Sequence, residues 1–491
     1  MQLNLSNIRY CYPQAEEPIL RGVSATFPEG WTGVVGDNGC GKTTIAKIAC
    51  GLIRPDEGSV GPRLVSAYCS QDATSAPANL EDFAVAYDRL AVHLRQVLDL
   101  EDDWPWRYDS LSGGQQKRLQ VACALWTRPD VLVMDEPTNH VDATTRAEVF
   151  RALDDFDGIG ILISHDRTLL DELCGQCLFV ANGTAVMRPG GYSRAAGQAA
   201  VERESSLRVR EDARREKKRI EREAQRRREA AARKEGKKSL AGIDKHDSDA
   251  RHKKRAAIVW GTDGIAAKQA GVMEARLARA SERLDQMRVE KRYDGDVWFD
   301  ATPGRRPVLV RLEACALRLG ERRLDVPPLY IGRNDHIGLV GDNGCGKTTL
   351  VRHLVAHLPA GVRTLYIPQE PSDGQQREAY ARLRGLRSDE RGRVLSIVAQ
   401  LNSEPKRLLE GDATSPGEMR KLMLAIGILD RPELIIMDEP TNHLDLGSIE
   451  ALQRMLGAFP GALLLVSHDE VLLSAITQVT WRIERDALSA S

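Results

Sequence analysis

Short apolar runs recur in the same order in the first and last thirds of this 491-residue chain. Residues 32–35, 131–133 and 161–163 have counterparts at 337–340, 434–436 and 464–466. Apolar runs this short, bounded by glycine or polar residues, predict strands buried on both faces of a parallel sheet. The middle third has a different texture. From 202 to 235 it is dense in Arg, Lys, Glu and Ala and lacks Gly and Pro, which predicts helix. Val209, Ala213, Ile220, Ala224 and Ala231 mark a sparse apolar stripe along it. A second stretch, 265–292, carries a fuller seam in which Met273, Leu277, Ala280, Leu284 and Met287 step by four, three, four and three, as in a helix that pairs with another. Two such helices joined by a loop predict an antiparallel hairpin, and about 34 residues of helix would extend it roughly 50 Å. No stretch reaches the roughly 18 consecutive apolar residues that span a bilayer. Residues 1–9 are patterned as a strand and not as a secretion signal.

Between the apolar runs, both outer thirds repeat one set of polar motifs. GDNGCGKTT occurs at 36–44 and again at 341–349, each time after a predicted strand, and fits the phosphate-loop pattern G-x-x-x-x-G-K-[ST]. Gly36, Gly39 and Gly41, with Gly341, Gly344 and Gly346, let the backbone curl so that successive amides, including those of Asn38 and Asn343, face phosphate oxygens. The helix that starts there, with Thr44 and Thr349 in its first turn, adds its positive dipole end. Lys42 and Lys347 would reach the β- and γ-phosphates, and Thr43 and Thr348 would offer a hydroxyl oxygen to Mg²⁺. MDEPTNHVD at 134–142 returns as MDEPTNHLD at 437–445. A strand that ends in an acid beside a phosphate loop supplies a Mg²⁺ carboxylate, here Asp135 and Asp438. The next residue, Glu136 or Glu439, is placed to orient or deprotonate the attacking water. His165 and His468 end a further strand, where a γ-phosphate would lie. The pairs Ser112 and Ser415, Asp135 and Asp438, Asp142 and Asp445, and His165 and His468 are all 303 positions apart, which means a duplicated domain. A helix-capping Asp and a core His are the plain alternatives for single residues, but not for six motifs in order, twice.

On these motifs the chain resembles the ATP-binding cassette superfamily over both outer thirds. The resemblance implies ATP and Mg²⁺ as cofactors and adds roles by position. Ser112-Gly113-Gly114-Gln115 resembles the signature loop, which completes the opposite half's site across an interface. Lys42 would then work with Ser415, and Lys347 with Ser112. Gln71 and Gln369 match the metal-sensing glutamine, and Asp142 and Asp445 the interface aspartate. Tyr12 resembles the aromatic that stacks on adenine, whereas the corresponding second-half strand, 308–319, has no aromatic. The second signature, 414–418, reads Thr-Ser-Pro-Gly-Glu. It keeps the S-x-x-[Q/E] capping box with Ser415 at the N-cap, and Pro416 suits the first helical position. Gly417 and Glu418 follow, and the Glu418 charge would weaken that site modestly. With both Glu and both His present, two hydrolytic sites are expected.

The net charge of −1 hides a segregation. Residues 201–256 carry 21 Lys and Arg against 12 Asp and Glu, a balance of +9 that leaves the rest of the chain at −10. A basic module between acidic domains suits a polyanion. The nine cysteines are scattered, and Cys40 and Cys345 sit inside the phosphate loops, which implies a reducing, cytoplasmic setting. Cys174 and Cys177 lack a second pair at zinc spacing and are expected to be buried thiols near a helix end. The loop between the linker helices is basic, with Lys237, Lys238, Lys245, Arg251, Lys253, Lys254 and Arg255, and with His246, His252 and Trp260 nearby. By composition alone it is a solvated spacer.

Tandem cassettes, a long charged helical linker and Gly191-Tyr192-Ser193 at its start resemble the ABC-F family. That resemblance implies binding at the ribosome's tRNA exit region, with the linker directed at large-subunit rRNA and P-site tRNA. Lys and Arg would contact phosphates there, and Trp260 would stack on a base. About 40 residues separate Gln71 from Ser112, too few for the extra helical arm of several housekeeping members, which favours the antibiotic-resistance branch. The expected architecture is α/β: two P-loop ATP-binding cassette domains, 1–190 and 306–491, joined by a basic α-helical hairpin linker, 191–305, with no transmembrane segment. The cassettes would pair within a monomer. The energy-coupling subunit of a membrane transporter, a general translation factor of the same family and a DNA-clamping repair ATPase are the competing readings.

Overall fold

A computed structural model describes residues 1–139, 141–238, 249, 252, 263–286, 304, 306–320, 322–405, 408 and 415–490. The chain forms two compact units, one of Met1–Ala195 with Arg292–Ser491 and one of Ala196–Lys291. In the first unit the outer thirds build one cassette each. Cassette 1 runs β1 (Gln2–Tyr10), β2 (Leu20–Pro28), β3 (Gly30–Val35), α1 (Lys42–Ala49), β4 (Glu57–Gly61) and β5 (Ser66–Cys69). It continues through α2 (Leu80–Ala84), α3 (Arg89–Val97), α4 (Gly113–Trp126), β6 (Val131–Asp135) and α5 (Ala143–Asp154). It ends with β7 (Ile159–Ile163), α6 (Arg167–Leu173), β8 (Cys174–Ala181) and β9 (Thr184–Pro189).

The main sheet has the order β5-β6-β7-β3-β8-β9, parallel throughout except for the β8–β9 pair. Every residue of β6 and β7 is buried, so both strands read as unbroken apolar runs and not as alternating ones. The antiparallel sheet β2-β1-β4 packs its apolar face, including Leu3, Leu5, Ile8 and Phe27, into the same core as Ile45 and Ile48 of α1.

After α7 (Tyr192–Lys238) and α8 (Asp263–Gln286), cassette 2 repeats the plan with β10 (Val308–Leu312), β11 (Cys315–Leu319), β12 (Arg322–Val326), β13 (Leu329–Gly332) and β14 (His336–Gly341). Next come α9 (Lys347–Ala356), β15 (Thr364–Ile367), α10 (Asp373–Gly385), α11 (Ser388–Gln400) and α12 (Pro416–Ile428). The last elements are β16 (Leu434–Asp438), α13 (Leu446–Gly457), β17 (Ala462–Val466), α14 (Glu470–Ile476), β18 (Val479–Glu484) and β19 (Ala487–Ala490). Its large sheet has the order β11-β12-β19-β18-β14-β17-β16-β15. In both cassettes the strand that feeds the phosphate loop, β3 or β14, lies between two parallel neighbours, with the acid-bearing strand one place further on. This brings strand ends that are distant in sequence to one edge of the sheet. Residues 308–319 are two strands instead of the single one expected. The chain breaks at the exposed pair Glu313 and Ala314, and the two strands join different sheets.

In the second unit, α7 starts ten residues before the expected stretch and tolerates Gly197, around which nothing lies within 4 Å of an added Cβ. Pairs at i,i+4, Glu204 with Arg208, Glu211 with Arg215 and Glu223 with Arg227, support a helix whose surface is mostly exposed. Ala224 and Met273 are buried, and beside them Arg228 donates to Glu274 across the two helices at 2.7 Å. Val209 of the expected stripe is exposed. Among the described residues, no helix is long and apolar enough to cross a membrane.

Candidate functional site

The two phosphate loops face a common cavity of about 780 Å³ that also takes in Gln71, Gln369, Glu136, Glu439, His165 and His468. Each loop needs glycine. Gly36 has φ 154°, and a Cβ there would lie 2.2 Å from the Val180 carbonyl oxygen. Gly41 and Gly346 cap α1 and α9 in the left-handed region at φ 106° and 105°. The lysine ammonium groups are buried against the loops that they serve. Lys42 donates to the carbonyls of Gly36 at 2.7 Å and Asp37 at 3.1 Å, and Lys347 to those of Gly341 at 2.6 Å and Asp342 at 3.0 Å.

Thr43 Oγ1 donates to Asp135 Oδ2 at 3.0 Å, and Thr348 Oγ1 to Asp438 Oδ2 at 2.8 Å. A hydroxyl and a carboxylate, both hard oxygen donors next to a polyphosphate cradle, are the set that suits Mg²⁺. Tyr68, at the end of β5, donates its hydroxyl to the same Asp135 oxygen at 2.6 Å. Its counterpart Tyr366 lies close enough for Asp438 to raise its pKa, after burial as the main cause.

Glu136 and Glu439 follow the acid strands with φ of 51° and 48°, a region that non-glycine residues enter at a cost. Their backbone amides bond to the carbonyls of Ile163 and Val466 at 2.8 Å, and this fixes the turn. Burial pushes the Glu136 carboxyl up to about 8 and the Glu439 carboxyl up to about 7. Burial, with Lys42 or Lys347 adding to it, pushes His165 down to about 3 and His468 to about 4. The histidines therefore present neutral rings: His165 Nε2 is 3.3 Å from Glu136, and His468 Nε2 is 3.5 Å from Glu439 and 3.1 Å from Lys347 Nζ. Glu439 Oε1 and His165 Nδ1 are buried without a hydrogen-bond partner. Such orphans cost free energy and fit a site that receives water and phosphate oxygens.

Across the interface the cassettes exchange reciprocal contacts. The Asn38 amide donates to Asp445 Oδ2 at 3.3 Å, and Asn38 Nδ2 to the His443 carbonyl at 3.2 Å. Burial works against ionising Asp142, yet N–H donors from Thr145 and, across the interface, from Asn343 hold its carboxyl below the usual range. Asp142 and Asp445 also cap α5 and α13, so the capping role and the interface position coexist. Ser112 and Ser415 cap α4 and α12 through complete capping boxes with Gln115 and Glu418. Pro416 opens α12, and Gly417 has no room for a Cβ, which would lie 2.6 Å from the His443 carbonyl. Ser415 and Pro416 line the cavity. Ser112, Gly114 and Gln115 stand outside its lining, with Gly114 against Thr145. Tyr12 lines the cavity, its hydroxyl 2.9 Å from Thr44 Oγ1 and its ring edge-on to Tyr10, while Leu319 lines it in the second half.

Sequence reasoning missed Lys117 and Arg420, which lie 303 positions apart in the signature helices. Lys117 donates to the carbonyls of Ser70 and Gln71 at 2.8 and 3.0 Å. Arg420 donates to the carbonyls of Gln369, Glu439 and Asn442. Each ties its glutamine loop to its signature helix, and their recurrence at the repeat interval is the signal that marks them. Tyr68 and Tyr366, each three residues before Gln71 or Gln369, carry a similar signal. Arg167 of cassette 1 bonds Gln453 at 2.8 Å and Asp469 at 3.4 Å, and Tyr192 donates to Glu450 at 2.7 Å while stacking on Phe179. Cys174 and Cys177 are buried free thiols at the start of β8. Of the basic residues assigned to nucleic acid, Lys237 and Lys238 fall in the last turn of α7. Lys245, Arg251, Lys253, Lys254, Arg255 and Trp260 lie outside the described residues.

Residues 20–139 and 324–442 each match the ABC transporter domain family. The energy-dependent translational throttle protein EttA of Escherichia coli strain K12 is 28% identical, over 93% of this chain and 88% of its own length. The ribosome protection protein VmlR of Bacillus subtilis strain 168 is 26% identical, over 97% of this chain and 85% of its own. Among solved structures, the archaeal ribosome recycling factor aABCE1, in complex with the stalk protein aP1, superposes with a TM-score of 0.63 at 17% identity. It covers 99% of this chain and 89% of its own.

Proposed function

Because this chain belongs to the ABC-F family of tandem ATP-binding cassette proteins, we propose that it uses Mg²⁺-dependent ATP hydrolysis at two composite sites to act on the ribosome in the cytoplasm. The observation that carries the reading is reciprocity: each phosphate loop gives an asparagine amide to the interface aspartate of the other cassette. Such a pair closes only as a unit. Lys42 and Lys347 leave their own loop carbonyls to hold phosphate oxygens, and the loop amides surround the same charge. Thr43 with Asp135, and Thr348 with Asp438, would hold Mg²⁺, which would supply positive charge for the phosphate oxygens on which negative charge builds. Glu136 and Glu439 orient the water and, in the fraction that is ionised, accept its proton, while the neutral His165 and His468 rings keep the acids in position. Ser112 and Ser415 present helix N-termini to the γ-phosphate of the opposite site.

On this reading, cassette closure redirects the basic helical segment, which contacts rRNA and P-site tRNA, and protects the peptidyl-transferase region from bound antibiotics. The protection branch is supported by the span between Gln71 and Ser112. It folds as α2, α3 and a 3₁₀ turn that bury Leu80, Phe83, Leu94 and Trp104 in the cassette, so no arm leaves it. The test is capture from lysate, with ATP, of a Glu136→Gln/Glu439→Gln protein, together with drug susceptibility of cells that express the wild type. Co-purified ribosomes and a raised tolerance to large-subunit drugs are expected. Ribosomes without altered tolerance would replace protection by a general role in translation, and a ribosome-free protein would end the ribosomal reading.

A further inference from the structure

The two ATP sites are built from a repeated sequence, yet one carries a clamp that the other lacks. Asn402, just after α11, donates Nδ2 to Asp37 Oδ1 in the phosphate loop of cassette 1 at 2.9 Å and to Asp445 Oδ1 of its own cassette at 3.3 Å. Asn402 is held from behind. Buried Lys421 donates to its carbonyl at 3.4 Å, to Ser403 Oγ at 2.9 Å and to Ser448 Oγ at 2.6 Å. The Ser448 amide in turn bonds Asp445 Oδ1 at 2.8 Å. Space for the Asn402 amide comes from Gly447, where a Cβ would lie 2.9 Å from Nδ2 and 3.5 Å from the Asp37 carboxylate.

The equivalent of Asn402 in cassette 1 is Asp99, also 303 positions away. Both follow a helix, both have positive φ, 59° and 47°, and the flanking turn bonds match atom for atom. Leu401, Asn402 and Ser403 donate to Ile397, Ala399 and Val398, as Leu98, Asp99 and Leu100 donate to Leu94, Gln96 and Arg95. Arg118 stands where Lys421 does and grips the Leu98 and Asp99 carbonyls. The side chains then diverge. Asp99 is a carboxylate with 87% of its side chain exposed, 3.9 Å from Arg118, and it has no amide to offer Asp342 of the second loop. Thr144 occupies the place of Gly447.

We infer that Asn402 is a positioning residue that locks cassette 2 onto the first phosphate loop, so that the Lys42–Ser415 site holds its nucleotide longer than the Lys347–Ser112 site. Asn402 touches no substrate; it acts through Asp37 and Asp445. The inference rests on the reading of the chain as a two-site ATPase.

The test uses the full chain in the Glu136→Gln/Glu439→Gln background, loaded with a fluorescent ATP analogue and chased with ATP. Two dissociation phases are expected, the slow one lost in Lys42→Ala and the fast one lost in Lys347→Ala. Asn402→Asp, which sets a third carboxylate against Asp37 and Asp445, should speed the slow phase about tenfold, the worth of one charge-assisted hydrogen bond, and leave the fast phase alone. Adding Asp37→Asn restores a donor–acceptor pair and should restore the slow phase, a rescue that general loss of structure would not give. An Asp99→Asn/Thr144→Gly protein should slow the fast phase. A slow phase that belongs to Lys347, or one unmoved by Asn402→Asp, overturns the inference while leaving the ATPase intact. An unmutated parent that binds no analogue sinks the ATPase reading and the clamp with it.

Discussion

Glu136 and Glu439 carry two costs at once: a left-handed backbone and a carboxyl buried deeply enough to keep its proton near neutral pH. The unfolded chain releases these protons near the ordinary value of 4.5, the folded chain only near 8 and 7. Their contribution to stability is therefore whole below about pH 4.5 and is lost as pH rises through those values. His165 and His468, pushed down, act in the opposite sense and only below their ordinary value of 6.5. Between pH 6.5 and 9 the acids dominate. The nucleotide-free Glu136→Gln/Glu439→Gln protein should lose less Tm than wild type over that range, by a few degrees; parallel melting curves would show that the acids are already ionised. These residues were legible in the sequence because each follows a run of buried apolar residues. Tyr68, Lys117 and Arg420 were marked only by their recurrence between the halves, since they bind carbonyls or a carboxylate from segments tens of residues away and their partners cannot be read from local spacing.

The signature helices α4 and α12 start alike although their sequences differ. Ser112 with Gln115, and Ser415 with Glu418, close the same capping box, and Pro416 takes a position that needs no N–H donor. Ser→Ala at either cap should cost about 1 kcal/mol of stability, and the proposed γ-phosphate contact should add a fall in ATPase well beyond that. Measuring Tm and turnover on each variant separates the two effects, and equal losses in both would leave the serines as caps alone. In α7, Gly197 stands in open space inside a helix, so Gly197→Ala should stabilise that helix by about 0.5–1 kcal/mol, read as greater protection of its amides from exchange. The length of α7 exceeds what its composition suggested because isolated glycines, Gly197 and Gly236, weaken a helix without ending it. The opposite error occurred at 308–319, where the exposed pair Glu313 and Ala314 split a stretch that reads as one strand.

At the scale of the whole molecule, the duplication was written plainly in the motifs, whereas the sheet order that brings them together depends on pairings between strands distant in sequence and was not. Two differences between the halves, the second signature and the missing second aromatic, were also legible, but the contact at Asn402 was not, because it rests on single substitutions such as Asn402 for Asp99 and Gly447 for Thr144, whose meaning depends on which loop they face. If both sites turn over, Glu136→Gln and Glu439→Gln alone should each lower steady-state ATPase at least twofold, and together abolish it. Unchanged turnover in either single variant would mark that site as idle.

Tyr192 belongs by chain to the exit of cassette 1, where it stacks on Phe179, but its hydroxyl is held by Glu450 of cassette 2. It is also the first residue of a 47-residue helix, about 70 Å of rise. The residue from which that helix starts is thus shared between the two cassettes, so whatever shifts one cassette against the other must strain or release the first turn of α7.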